Sequence, residues 1–215
     1  MATITLSFDN GPEPDVTPRV LDTLRHRNIK ATFFVLGRKL VHHRDLAARA
    51  HDEGHWIGNH TFNHERPLGL ITEPGAASDE IARTEALIGD LAHEYRYFRP
   101  YGGGGVLDNR LLNREACAHL ARHGYTIVLW NAIPEDWRDP EGWMSRALEQ
   151  CFAQDETLLV LHDLPTGAMA HLDRFIAAAE DRGATFRQEF PASCLPMIRG
   201  KRAASLDPYT SDARD

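Results

Sequence analysis

Long hydrophobic runs are missing from this chain. No apolar stretch approaches the roughly 20 residues a membrane-spanning helix needs, so no membrane partner is expected. A block of Lys and Arg is missing too. Lys and Arg total 24 against 31 Asp and Glu, a net charge of −7, which sets nucleic acid aside as a partner. Cysteine is scarce: Cys117, Cys151 and Cys194 are widely spaced and odd in number. They supply no zinc knuckle, redox pair or disulfide framework, and are read as buried reduced thiols. No glycine-rich phosphate loop follows the first apolar run. The glycine run Gly102 to Gly105 comes much later and lacks the spaced pattern of a nucleotide site. No secretory signal precedes the first strand, which begins within a few residues of Met1. A basic region and an apolar core have no room there, and a cytoplasmic location is expected.

What is present is a globular composition. The 215 residues are 42% hydrophobic and 26% charged, enough for one large domain or two small ones with a sizeable core. Strand and helix signals alternate along almost the whole length. Apolar runs at 4–8, 31–36, 56–60, 97–98, 125–130, 158–161 and 184–186 read as strands. Between them, segments 18–27, 44–53, 78–94, 108–123, 140–152 and 168–182 carry helical spacing. Ser78 is read as a helix N-cap. Strands that are apolar without alternation imply a parallel sheet buried on both faces. Such units build a (β/α) barrel or an open doubly wound sheet, and both collect function at the C-terminal ends of the strands. A catalytic domain is assigned to residues 1–190. Residues 191–215 show no clear element and are taken as a C-terminal extension, loose from 207 onward.

Chemistry-bearing residues gather at those strand ends. Asp9 and Asn10 end the first strand, before a Gly11-Pro12 turn. His60 ends the third and His64 follows it; Arg99 ends the fourth, Asp136 follows the fifth, and His162-Asp163 ends the sixth. In a parallel sheet all of these project from one rim. His60 and His64, at i and i+4, can reach one ion from one face of a helical turn. The chain has 12 histidines, so the spacing alone is weak; the neighbouring Asp-Asn tip strengthens it. Neutral nitrogens plus one oxygen suit Zn²⁺, with Co²⁺, Ni²⁺ or Mn²⁺ also fitting. The other histidines, His55 among them, are read as surface or capping residues.

Ser-Phe-Asp9-Asn10-Gly-Pro, His60-Thr-Phe-Asn-His64, Phe-Arg99-Pro-Tyr101-Gly102, Trp130 through Asp136-Trp137, and Leu-His162-Asp163 stand in this order in the sequence. Together they resemble the motifs of the polysaccharide deacetylase family, carbohydrate esterase family four, over about Thr3 to Phe186. The resemblance implies an irregular (β/α) barrel of about seven parallel strands and a metal-dependent hydrolase that removes acetyl groups from sugars. By position Asp9 matches the general base and Arg99 the arginine that holds it. His60 and His64 match metal ligands, and Asn10 falls where the family usually has a metal-binding aspartate. Tyr101 and Gly102 match the loop facing substrate and oxyanion, with the backbone N–H from Gly102. His162 matches the general acid, Asp136 the carboxylate that orients it, and Trp137 its packing neighbour. Asn10, Ile133 and the single proline of Arg-Pro-Tyr-Gly depart from the family pattern. The expected partner is an acetylated sugar or oligosaccharide. Two alternatives stand: a cytosolic amidase on a small cyclic imide, ureide or N-acyl compound, and a carbohydrate-binding relative with weak or no catalysis. The sequence sets no oligomeric state.

Overall fold

The computed structural model describes residues 2–211. Strands and helices alternate as β1 (Thr3–Asp9), α1 (Thr17–His26), β2 (Thr32–Val35), α2 (Gly37–Asp52), β3 (Trp56–Asn59), α3 (Ala76–Ile88) and β4 (Tyr97–Phe98). They continue as α4 (Arg114–Arg122), β5 (Thr126–Ile127), α5 (Trp143–Phe152), β6 (Glu156–His162), α6 (Leu172–Asp181) and β7 (Thr185–Arg187). Two short strands close the order, β8 (Met197–Ile198) and β9 (Lys201–Arg202).

The sheet runs β6-β1-β2-β3-β4-β5-β8-β9, and β7 pairs with the lower half of β1. Strands β1 to β7 are parallel; β8 and β9 are antiparallel. The sheet curls until the segment after β5 meets β6 through a single bridge, Ala132 to Leu159. The result is an irregular α/β barrel.

Strand alternation decides which side chains face outward. On β1, Ile4, Leu6 and Phe8 join the core that packs against Val20, Leu21 and Leu24 of α1 and Phe175 and Ile176 of α6. Thr5, Ser7 and Asp9 of the other face are also buried, and they supply the polar groups of the barrel interior. All three cysteines are buried and free. Among the described residues no helix is long and apolar enough to cross a membrane.

Several sequence expectations shift. The helix read over 108–123 begins at Arg114, because the Asn113 side chain accepts the Ala116 N–H at 2.8 Å and caps it. Asp108 instead closes a turn on the Arg110 N–H. Ser78 lies inside α3, its hydroxyl donating to the Gly75 carbonyl, and Gly75 takes the cap position. His55, expected at the surface, is buried and its Nδ1 accepts the Ala31 N–H at 3.1 Å. Burial first, with Lys30 adding, pushes its pKa down to about 4. Residues 191–211 carry structure: β8 pairs with β5, and the Leu112 N–H donates to the Tyr209 carbonyl at 2.9 Å. Residues 212–215, the rest of the expected loose tail, lie outside the described residues.

Candidate active site

The C-terminal rim of the sheet holds a cavity of about 180 Å³. It is lined by Asp9 at the end of β1 and Asn10 after it, His60 and His64 after β3, Tyr101 and Gly102 after β4, Trp130 and Trp137 after β5, His162 at the end of β6 and Leu164 after it. The parallel register explains the gathering: Asp9 is level with His162 on one neighbour and Phe34 on the other.

Asp9 is buried and its Oδ1 accepts Arg99 Nη1 at 2.7 Å. Its Oδ2 lies 3.6 Å from His60 Nε2. Arg99 is 0% exposed. It also donates to Ser7 Oγ at 2.7 Å, to the Val128 and Leu129 carbonyls at 3.3 and 3.4 Å, and lies 4.0 Å from the centre of the Phe34 ring. A guanidinium so enclosed is fixed, and it fixes the carboxylate it holds. Ser7 was missed in the sequence, although its place two residues before Asp9 puts both on one strand face.

His162 is held twice by Asp136, which is 0% exposed. One oxygen accepts the His162 backbone N–H and the other meets ring Nδ1, both at 2.8 Å. That places the shared proton on Nδ1 and leaves Nε2 outside the pairing with Asp136. Burial opposes the charged ring, but the Asp136 hydrogen bond and charge, with Asp9 and Asp163 adding, hold its pKa above the ordinary value. Trp137 packs edge-on against the ring at 4.6 Å.

His60 Nδ1 is engaged by the Arg99 carbonyl at 2.7 Å, so its Nε2 carries the free lone pair. The ring centres of His60 and His64 are 4.7 Å apart, and His64 stacks on Tyr101 at 3.8 Å. The expected helical turn is absent from the segment 60–64. Thr61 and His64 have φ of 71° and 56°, so a left-handed loop brings the rings together. Burial first, with the Arg99 and His162 charges adding and the hydrogen bond to the Arg99 carbonyl opposing, pushes the His60 pKa down to about 3. Burial, His60, His162 and Arg38 push His64 down to about 2, against Asp9. Both rings are therefore neutral near pH 7, the form that binds metal.

Asn10 completes a candidate donor set. Its φ of 73° is one that asparagine tolerates better than most residues. Its Oδ1 is buried with no hydrogen-bond partner among the described residues. A buried amide oxygen without a partner calls for a ligand. No group of three His, Cys, Asp or Glu side chains is gathered for metal among the described residues; the third donor here is an amide. Beneath it, a Cβ on Gly11 would fall 2.2 Å from Asp163 Oδ2, so the turn needs glycine for space. Asp163 itself is fully buried and its Oδ2 accepts a hydrogen bond from the Thr17 hydroxyl; burial raises its pKa to about 7.

Gly102 and Tyr101 line the cavity, and among the described residues their N–H groups donate to nothing within the chain. Trp130 packs on this loop: its Nε1 donates to the Gly105 carbonyl at 3.1 Å, and a Cβ on Gly102 would meet its ring at 2.6 Å. Trp130, Ile133, Val160 and Leu164 form an apolar wall. Leu164 was not foreseen, since nothing local marks it.

Comparison with known proteins adds to this geometry. A model of the polysaccharide deacetylase family matches residues 2–128. The chain is 30% identical over 188 residues to a peptidoglycan-N-acetylglucosamine deacetylase of Listeria monocytogenes, covering 85% of this chain and 37% of that protein. It is 32% identical over 165 residues to a chitooligosaccharide deacetylase of Bradyrhizobium, covering 74% of this chain and 70% of that one. Among solved structures, the peptidoglycan deacetylase PdaC from Bacillus subtilis superposes with a TM-score of 0.70 at 31% identity, over 86% of each chain.

Proposed function

The chain belongs to the polysaccharide deacetylase family, and we propose that it is a metal-dependent hydrolase removing the acetyl group from an N-acetylated amino sugar of an oligosaccharide or of peptidoglycan. One observation carries this: a carboxylate held by Arg99 and an imidazole held by Asp136 line the same cavity as three free neutral donors. Amide hydrolysis needs both a base for water and an acid for the departing amine. The names of the relatives point to the same substrates.

A divalent ion held by His60, His64 and the Asn10 oxygen would supply Lewis acidity towards the amide carbonyl and a water of lowered pKa. Two imidazoles and an oxygen favour zinc. Asp9, with Oδ1 tied to Arg99, has Oδ2 left to take the proton of the attacking water. As hydroxide adds to the carbonyl carbon, the N–H groups of Tyr101 and Gly102 are in place to donate to the oxyanion. His162 Nε2 gives its proton to the sugar nitrogen as the C–N bond breaks, releasing acetate and a free amine. The wall of Trp130, Ile133, Val160 and Leu164 suits the acetyl methyl. At about 180 Å³ the cavity falls below the ~300 Å³ that encloses a drug-sized ligand. It therefore surrounds the acetamido group and leaves the rest of the glycan outside.

Acetate release from N-acetylated chito-oligomers and peptidoglycan fragments, and ring opening of small cyclic imides, each with and without added Zn²⁺ or Co²⁺, test the proposal. Release from an N-acetylated glycan that depends on metal is expected. Turnover of an imide alone would replace the substrate class, and glycan binding without acetate release would make the chain a binding relative.

A further inference from the structure

The loop from His60 to His64 has left-handed residues at both Thr61 and His64. For a β-branched threonine that conformation is costly and persists only where surroundings enforce it. Two helices hydrogen-bond to this loop. The first turn of α2 supplies donors: Gly37 N–H to the Thr61 carbonyl at 3.0 Å, and Arg38 N–H to the Phe62 carbonyl at 3.1 Å. From α3, Glu80 supplies acceptors. Its Oε2 takes the Phe62 N–H at 3.0 Å and the Asn63 N–H at 2.8 Å, while Oε1 takes Asn63 Nδ2 at 2.5 Å. The Phe62 ring is pinned between these supports. Arg83 of α3 sits 3.6 Å from its centre, and a Cβ on Gly37 would fall 2.3 Å from its edge.

We propose that Glu80 is a positioning residue for metal binding: its carboxylate fixes the backbone at Phe62-Asn63 and thereby the place from which His64 reaches the cavity. The inference rests on the reading of His60 and His64 as metal donors. Carbonyl acceptors in this loop are served by α2, but the N–H groups of residues 62 and 63 have Glu80 as their only acceptor among the described residues. Removing it leaves the N–H groups of peptide units 61–62 and 62–63 without an acceptor, held only through their carbonyls by α2. The neighbouring α3 keeps its own packing through Ala77, Ile81, Thr84 and Ile88, which are buried.

Two readouts test this on the full chain: amide hydrogen exchange at Phe62 and Asn63 in metal-free protein, and Zn²⁺ affinity by competition with a chelating dye. Glu80→Ala is expected to lose protection at those two amides and to weaken Zn²⁺ binding about 10- to 100-fold, the usual effect of removing a group that orients a ligand. Glu80→Gln, whose amide oxygen can accept both backbone N–H groups while Asn63 turns its own amide, should retain most of both. Asn63→Ala removes only the third bond and serves if Glu80→Ala does not fold; it should weaken Zn²⁺ binding in the same direction. Unchanged affinity in the folded Glu80→Ala protein, or in Asn63→Ala where that variant stands in, overturns the proposal. So does a Glu80→Gln protein as impaired as Glu80→Ala. If wild type binds no Zn²⁺, the metal-donor reading fails, and retained protection of the two amides in the folded Glu80→Ala protein would then overturn the hold of Glu80 on the loop as well.

Discussion

Asp9→Asn should yield a folded protein whose kcat for acetate release is about 10²- to 10⁴-fold lower, the range of a lost general base. One oxygen of Asp9 is committed to Arg99 at 2.7 Å and the other lies 3.6 Å from His60 Nε2. The carboxylate is thus oriented by one oxygen and available through the other. Asparagine keeps the size and one acceptor for Arg99, but it takes no proton from water. Alanine is the poorer test. Arg99 is 0% exposed, and a buried charge stripped of its partner costs about 3–5 kcal/mol, so lost activity would be mixed with lost fold. KM should change far less than kcat, because the proposed base acts on water and not on the sugar. A kcat within a few-fold of wild type, with metal bound, would remove Asp9 from the base role.

His162→Asn should cost kcat a comparable factor, about 10²- to 10⁴-fold, because an amine departs poorly without a proton. The pH profile carries the finer test. A general acid works in its protonated form, so kcat falls as pH rises through the pKa of His162. The Asp136 hydrogen bond and charge hold that pKa above its ordinary value against the effect of burial. Asp136→Asn removes the charge and sets an amide N–H₂ against either the ring N–H or the backbone N–H that the two carboxylate oxygens now accept. The alkaline limb of the kcat profile should therefore move to lower pH in Asp136→Asn, and kcat at the optimum should drop. A limb that stays in place in an active Asp136→Asn protein would show that His162 is not the group titrating there.

Much of this site was legible because its residues are short-range neighbours or sit at strand ends. Asp9 and Asn10 close an apolar run that reads as a buried parallel strand, and His60 and His64 are four residues apart. The register of β1 with β6 then sets Asp9 level with His162, which strand ends alone could only suggest. The loop that joins His60 to His64 was misread as helical. Its left-handed turns depend on Gly37 of α2 and Glu80 of α3, both remote in sequence. Ser7, Glu80 and Leu164 escaped for the same reason: their significance lies in partners that only the folded chain brings near. The late start of α4 reflects competition between an extended helical pattern and a strong local cap at Asn113. Strands β8 and β9 hold two residues each, too few to show any period.

Titration of the wild-type, Asn10→Asp and Asn10→Ala proteins with Zn²⁺ tests most directly whether this chain holds a catalytic ion through a neutral third donor. The Asn10 oxygen is buried and without a partner, so it is free to ligate, but it brings no charge to offset that of the ion. Wild type should bind Zn²⁺ measurably, Asn10→Asp more tightly and Asn10→Ala more weakly. Equal affinity in all three would show that Asn10 is no ligand, and binding by Asn10→Asp alone would contradict a working metal site in the natural chain.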